Sequence, residues 1–376
     1  MMRFLSTVAV LTLCLGRAEA QGEKPRARDL GVPFEGTPGQ LNAITDVPGV
    51  EVGHTTLISG DSVRTGVTVV LPEGKRAKNQ VFAGWFTLNA DGEMTGTTWI
   101  EESGILEGPV AITNTYSVGT VHQAVIEWSL RHVEGLRWSL PVVAETWDED
   151  LNDLNGFHVK REHVFAAIEN AAGGPVPEGN VGGGTGMQLY DFKGGIGTAS
   201  RLVDTEHGRF TVGVLVQGNY GSRRLLRVAG VPVGLEIPDL MPEGLDSGDD
   251  DGSIIIVIAT DAPVLPHQLK RIAKRASLGL GRNGSIAANT SGDIFIAFST
   301  FHKNIGTEQG GLYDLKMLGN SDLNPIFRAT VEASEEAVIN AMVAAETMTG
   351  KNGVKVYAIP HDRLREALRK FNRLAP

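Results

Sequence analysis

Apolar residues in this chain gather in short runs, and the turns between them are rich in glycine. The run Ile254-Ile255-Ile256-Val257-Ile258 is unbroken, aliphatic and β-branched, which predicts a short strand buried on both faces. An acidic turn, Asp249-Asp250-Asp251, leads into it through Gly252 and Ser253. Further strands are predicted near Val50–His54, over Arg64–Leu71 with Pro72 as its stop, and over Pro109–Asn114 and Pro141–Asp148. Thr211–Val216, Asn289–Phe298 and Val354–Ile359 complete the set. Residues 81–100 alternate weakly and include a glycine-rich turn at 89–96. Helical spacing runs over Ser117–His132, through Val121, Ala124, Val125 and Trp128. Arg161–Ala172, Pro263–Leu278, Phe327–Met348 and Asp362–Phe371 are the other predicted helices. On the third of these five, Lys270, Arg271, Lys274 and Arg275 form a solvated face. Residues 21–40 predict an extended arm, and 222–252, without a period, a mobile linker. Strands and helices come in groups more than in strict alternation. That points to an α+β chain, a layered sandwich with helices outside two sheets.

Composition narrows the function. The formal net charge is −10 and no basic patch stands out, which argues against a nucleic-acid or anionic-membrane partner. The 47 glycines are scattered without a period, as expected of many tight connections. Residues 1–20 read as a cleavable export signal: Arg3, an apolar stretch from Phe4 to Leu15, then Ala18-Glu19-Ala20. The stretch is too short to span a bilayer. Cys14 is the one cysteine, so the mature chain would carry no disulfide, and a periplasmic location is expected. The nine histidines form neither an HExxH pair nor a His/Cys cluster, so no metal and no cofactor are expected. His122, on a helix, reads as a packing or surface residue.

Candidate chemistry sits at strand ends. Ser253 opens a rigid strand just after a flexible acidic loop. Cutting the Gly252–Ser253 bond would give it a free α-amine with a pKa of about 7.7–8.0, a built-in base for its own hydroxyl. The same stretch also reads as an ordinary serine where a loop enters a strand. Ser291 and Asp293, two residues apart, share a face if a strand starts there. Asn219, in the turn Gln217–Gly221, is either a turn residue or an amide donor to an oxyanion. Asn114 is a turn residue or part of a pocket wall. Glu145, at the end of an apolar strand, either binds a cation or lies on a surface loop. Asp91 and Glu93 read as solvated turn carboxylates. Gly179–Met187 fails as a phosphate loop, because no Lys-Ser/Thr follows and the GxGxxG spacing breaks at Met187. Close backbone packing against a site is the better reading.

Several ordered motifs then coincide. They are Leu41-Asn42-Ala43-Ile44-Thr45-Asp46-Val47, Gly92-Glu93-Met94-Thr95-Gly96 and Gly182-Gly183-Gly184-Thr185-Gly186. Asn219-Tyr220-Gly221, Asp251-Gly252-Ser253 and Ser291-Gly292-Asp293 complete them. Over residues 26–371 the chain resembles the DmpA/BapA family of self-processing N-terminal peptidases, which includes L-aminopeptidase/D-amidase/D-esterases and β-peptidyl aminopeptidases. The resemblance implies a four-layer αββα sandwich, like N-terminal nucleophile hydrolases but with different connectivity. It implies autocleavage at Gly252–Ser253 into an α chain (21–252) and a β chain (253–376) that stay associated. The oligomer it implies is a tetramer of such αβ units. Ser253 would be the nucleophile, Ser291 and Asp293 would orient and polarise its hydroxyl and amine, and Asn219 would stabilise the oxyanion. Glu145 would hold the free ammonium of a peptide, amide or ester substrate with an L-, D- or β-amino N-terminal residue. Trp147, in the substrate pocket, stands where some members have tyrosine, and an indole has no hydroxyl to offer. Asp293 is one carbon shorter than the glutamate of some relatives. An acyltransferase related to ornithine acetyltransferases is the alternative. Those use threonine as nucleophile, and Ser253 speaks against it. A non-catalytic binding protein on the same scaffold is a third reading.

Overall fold

The structure is a computed structural model that describes residues 24–75, 78, 80–245, 252–303, 305 and 311–375. The expected export signal and the acidic turn Asp246–Asp251 lie outside the described residues.

The chain opens with the hairpin β1 (Glu51–Ser59) and β2 (Val63–Leu71), followed by β3 (Gln80–Ala90). A short helix α1 (Thr97–Ser103) ends at Gly104, whose φ of 73° closes it in the left-handed region. Then come β4 (Ile105–Glu107), β5 (Val110–Asn114), α2 (Val118–His132), β6 (Val142–Thr146) and α3 (Arg161–Glu169). A small hairpin, β7 (Gln188–Leu189) and β8 (Phe192–Lys193), precedes the long pair β9 (Gly195–Thr205) and β10 (Gly208–Tyr220). After α4 (Val233–Glu236), β11 (Gly252–Thr260) passes through α5 (Pro266–Arg282) to β12 (Ser291–Ser299). The chain ends with α6 (Asn324–Val343), the ribbon β13 (Met348–Thr349) and β14 (Lys355–Val356), and α7 (His361–Lys370). Proline in the first turn of α5 and of α6 suits positions where an N–H has no helical partner anyway.

Two sheets carry the fold. The smaller has the order β1-β2-β5-β6 and the larger β4-β3-β12-β11-β10-β7-β8, with β9 also paired to β10. β11 and β12 are parallel, which their helical crossover α5 allows. Three apolar cores separate four layers. Val70, Ile112 and Ala144 of the small sheet meet Leu215, Ile255, Val257 and Ile296 of the large one. Outside the large sheet, Ile254, Ile256 and Ile258 pack on Leu269, Ile272 and Ala337 of α5 and α6. Outside the small sheet, Val67 and Val69 pack on Trp128 of α2 and Ile168 of α3. This is the expected αββα order. β11 supplies side chains to both cores that flank its sheet, which is why its sequence is apolar at every position from Ile254 to Ala259.

Four expectations change. Asn219 is not in a turn: β10 runs on to Tyr220, because Asn219 pairs with Ser253 and Tyr220 with Gly252. Residues 222–245 are not a loose linker. Val228, Val231, Val233 and Ile237 are buried in the helix-side core, with no period because the backbone there is irregular. The arm at 24–40 is tied down, with Arg26 paired to Glu178 and Arg28 to Glu336, each at 2.8 Å. The strand expected over Val354–Ile359 shrinks to Lys355–Val356. As expected, Gly182–Gly184 pack closely: they are buried beside β2, where Gly183 N–H donates to Thr68 Oγ1 at 3.1 Å.

Candidate active site

The N-terminal end of β11 organises the site. Alternation sends Ser253 to the inter-sheet face with Ile255 and Val257, and Gly252 to the helix side. The register puts Asn219, Ser253 and Gly292 side by side, and Tyr220, Gly252 and Ser291 in the next row. Gly252 has φ +128°, and a Cβ there would lie 2.0 Å from the Asn219 carbonyl oxygen and 2.7 Å from Tyr220 Cα. No side chain fits, so the residue before Ser253 is held to glycine by its neighbour strand.

Ser253 Oγ accepts a hydrogen bond from Gly292 N–H at 3.1 Å and borders a cavity of about 800 Å³. Asn219 borders it too. Asn219 Oδ1 accepts from Gln188 N–H and its Nδ2 donates to the Trp147 carbonyl, both at 2.8 Å. A backbone N–H only donates and a carbonyl only accepts, so these two bonds fix which end of the amide is which. The second amide proton has no protein partner among the described residues.

Glu145, at the end of β6, lies in the same cavity and is 3 % exposed. Its Oε1 accepts from Glu93 N–H at 2.9 Å, and its Oε2 from the Thr115 hydroxyl. Burial pushes its carboxyl above the usual range; the two hydrogen bonds pull it back, and Glu93 and Asp91 push it up again. A Cβ on Gly292 would lie 2.5 Å from the Asp91 carbonyl oxygen. That close approach lets the 91–93 turn lie on β12 and reach Glu145. Asp91 and Glu93 are exposed, as read from the sequence, yet they form cavity wall with Asp150 and Asp191. Among the described residues no lysine or arginine lines the cavity. The cavity therefore favours a cation.

Ser291 Oγ donates to Asp293 Oδ1 at 2.7 Å, so the two do share a face. Asp293 N–H donates to Asn89 Oδ1 at 2.9 Å, while Asp293 Oδ2 is buried without a partner. Alternation along β12 puts this dyad on the helix side with Phe295, whereas the Ser253 hydroxyl faces the other core. The dyad thus flanks the Gly252–Ser253 peptide instead of touching the hydroxyl. Burial pushes the Asp293 carboxyl up to about 6, against the hydrogen bonds from Ser291 and the Ile254 N–H. The folded state then binds the proton more tightly than the unfolded state. This contribution to stability is full below pH 3.8 and is lost as pH rises through about 6. In the uncut Ser253→Ala chain, Asp293→Asn removes the buried charge and is expected to gain up to roughly 3 kcal/mol at about pH 8 and little near pH 4, read by urea unfolding. An equal change at both pH values would show that the carboxylate is not strained there.

Trp147 lines the cavity and meets the Tyr116 ring edge-on at 5.6 Å, and Tyr116 stacks on Phe157 at 6.1 Å. Of the three rings only Trp147 lines the cavity; Tyr116 and Phe157 back it from outside. Asn114 is a correction: it does not line the cavity. Its Nδ2 donates to Thr65 Oγ1 at 2.8 Å and its Oδ1 caps Ser117 N–H at 3.0 Å, so burial and capping use up its amide. Among the described residues no histidine lines the cavity. His54, half-buried, bonds to Thr68, and desolvation pushes it down to about 4, so it stays neutral. Among the described residues no group of three or more His, Cys, Asp or Glu could hold a metal, and no helix is long and apolar enough to cross a membrane. The sequence reading missed Thr115, Tyr116, Phe157 and Gln188. Only Thr115 and Tyr116 carried a signal, following directly on a predicted strand end.

The model of peptidase family S58 matches residues 42–356. The chain is 53 % identical to the β-peptidyl aminopeptidase BapA of Sphingosinicella microcystinivorans, over 100 % of this chain and 99 % of that protein. The solved L-aminopeptidase D-Ala-esterase/amidase of Ochrobactrum anthropi, described as a variant of the Ntn hydrolase fold, superposes with a TM-score of 0.88. It is 48 % identical, with 94 % of this chain and 100 % of that one covered. A β-aminopeptidase from Burkholderia sp. gives a TM-score of 0.85 at 46 % identity, covering 92 % and 99 %. Fold and site together are those of a serine aminopeptidase, and the acyltransferase alternative falls away. The chain belongs to peptidase family S58.

Proposed function

We propose that the protein is an exported, self-cleaving aminopeptidase that removes N-terminal residues, β-amino residues among them, from peptides and amides with a free amine. The observation that carries this reading is the placement of Ser253 beside Asn219 on the wall of an acidic cavity that also holds Glu145. In the first step, Ser253 Oγ attacks the Gly252 carbonyl carbon; the C–N bond breaks, and water hydrolyses the resulting ester. This leaves a free α-amine on Ser253 next to the Ser291–Asp293 dyad. Chains 21–252 and 253–376 stay together because β11 remains paired to β10 over nine residues and β12 to β3. The product is periplasmic once residues 1–20 are removed, and its αβ units form a homo-oligomer, a tetramer by family resemblance.

In turnover, Glu145 pairs with the substrate ammonium and places the scissile carbonyl over Ser253. The α-amine accepts the hydroxyl proton as Oγ attacks, and the free Asn219 N–H donates to the oxyanion. The proton passes to the departing amine, an acyl-enzyme remains, and water releases the acid. The preference for β-amino residues draws on the two β-aminopeptidases reported above.

The test is a panel of p-nitroanilides carrying L-, D- and β-amino residues, each free and N-acetylated. Free β-amino compounds are expected to be turned over, and every acetylated one refused. Hydrolysis of the acetylated set at the rates of the free set would overturn the reading.

A further inference from the structure

Lys193 is fully buried, and nothing in the reaction above uses it. It closes the β7–β8 hairpin. Its Nζ donates to the Met187 carbonyl at 2.5 Å and to the Gly194 carbonyl at 3.0 Å. Hairpin closure does not need the first of these bonds, since Met187 O already accepts from Gly194 N–H at 3.0 Å. An apolar side chain of similar length would fill the space without the desolvation that a buried ammonium suffers. Burial pulls the Lys193 ammonium down to about 7, and the field of buried Asp148 opposes that fall.

The bond has a direct line to the site. The Met187 carbonyl and the Gln188 N–H belong to one peptide group, and that N–H donates to Asn219 Oδ1 at 2.8 Å. The other end of the same side chain, Nδ2, is held by the Trp147 carbonyl, one residue before Asp148. The order is amine, peptide, side-chain amide, oxyanion. Each link polarises the next in the same sense, so the Asn219 N–H becomes a better donor. We propose that Lys193 is a positioning residue for the oxyanion donor: through the Met187–Gln188 peptide it fixes and polarises the Asn219 amide. The proposal rests on Asn219 being that donor.

A double-mutant cycle tests it on the full-length enzyme with a free β-amino p-nitroanilide. Asn219→Ala is expected to lower kcat by about 10²–10³, the usual cost of one oxyanion donor. Transmitted polarisation is worth about 10–30 % of the next bond, so Lys193→Met is expected to lower kcat about 1.5- to eightfold with KM little changed. In the Asn219→Ala background the Lys193→Met step is expected to cost nothing further. The same factor lost in both backgrounds, a loss confined to KM, or an unchanged kcat would overturn the relay. If Asn219→Ala keeps full kcat, the oxyanion assignment itself fails, and the relay with it. Should Lys193→Met not fold, Lys193→Leu, which likewise offers no donor, is carried through the same cycle with the same criteria.

Discussion

Ser253→Ala is expected to give one uncut chain with no turnover, where the native protein is expected to give two, 21–252 and 253–376. The substitution is conservative for the fold. Ser253 is 5 % exposed, and alanine fits the inter-sheet face it occupies. The bond lost is that from Gly292 N–H, a loss of about 0.5–1.5 kcal/mol, which leaves the sheet intact. The chemistry is expected to be lost altogether, because in the proposed mechanism attack on Gly252 and attack on substrate use the same oxygen. A denaturing gel reads the first and a p-nitroanilide assay the second. Native protein that is fully active as a single band, or an alanine variant that is still cut, would remove Ser253 from both roles.

Glu145→Gln is expected to be cut normally and to lose turnover roughly 10²- to 10⁴-fold. Breaking one side of a buried charge pair costs roughly 3–5 kcal/mol, and the proposed partner here is the substrate ammonium. Glutamine keeps the acceptor for Glu93 N–H, and the Thr115 hydroxyl can turn to either end of the amide. The shape of the pocket therefore survives and only the charge is removed. The Gly252 carbonyl attacked in self-cleavage carries no ammonium, so that step does not depend on Glu145. Loss of self-cleavage along with turnover would make Glu145 a structural residue. Unchanged kcat/KM on free-amine substrates would place the ammonium elsewhere in the acidic cavity.

Much of this was legible before any coordinates. Ile254–Ile258 announced a strand covered on both sides, and it is the central strand of the larger sheet. Ser291 and Asp293 were assigned one face from a spacing of two, and their hydroxyl and carboxylate are in fact bonded. Both readings rest on the local period of a strand, which is a property of consecutive residues. Glu145 could be a cation ligand or a surface acid. Burial excludes the surface acid, and the Glu93 and Thr115 bonds that hold it there come from segments far away in sequence.

Where the reading failed, the missing information was always a partner strand or a distant cover. Asn219 read as a turn residue because what keeps it extended is pairing with Ser253, 34 residues on. Residues 222–245 read as a linker because irregular backbone buries apolar side chains without repeating. Asn114 and Glu145 end adjacent parallel strands, yet one caps a turn and the other faces the cavity. A lysine among glycines, Lys193, gives no local sign that two carbonyls will hold it under a sheet. The sequence by itself determined the layers, the strand that matters and the serine at its head, because periodicity and steric preference act between near neighbours. Only the tertiary structure decided which face each end residue shows, what bonds its last polar atoms, and that the dyad flanks the peptide and not the hydroxyl. Those depend on register between strands, which hydrogen bonds across the sheet set.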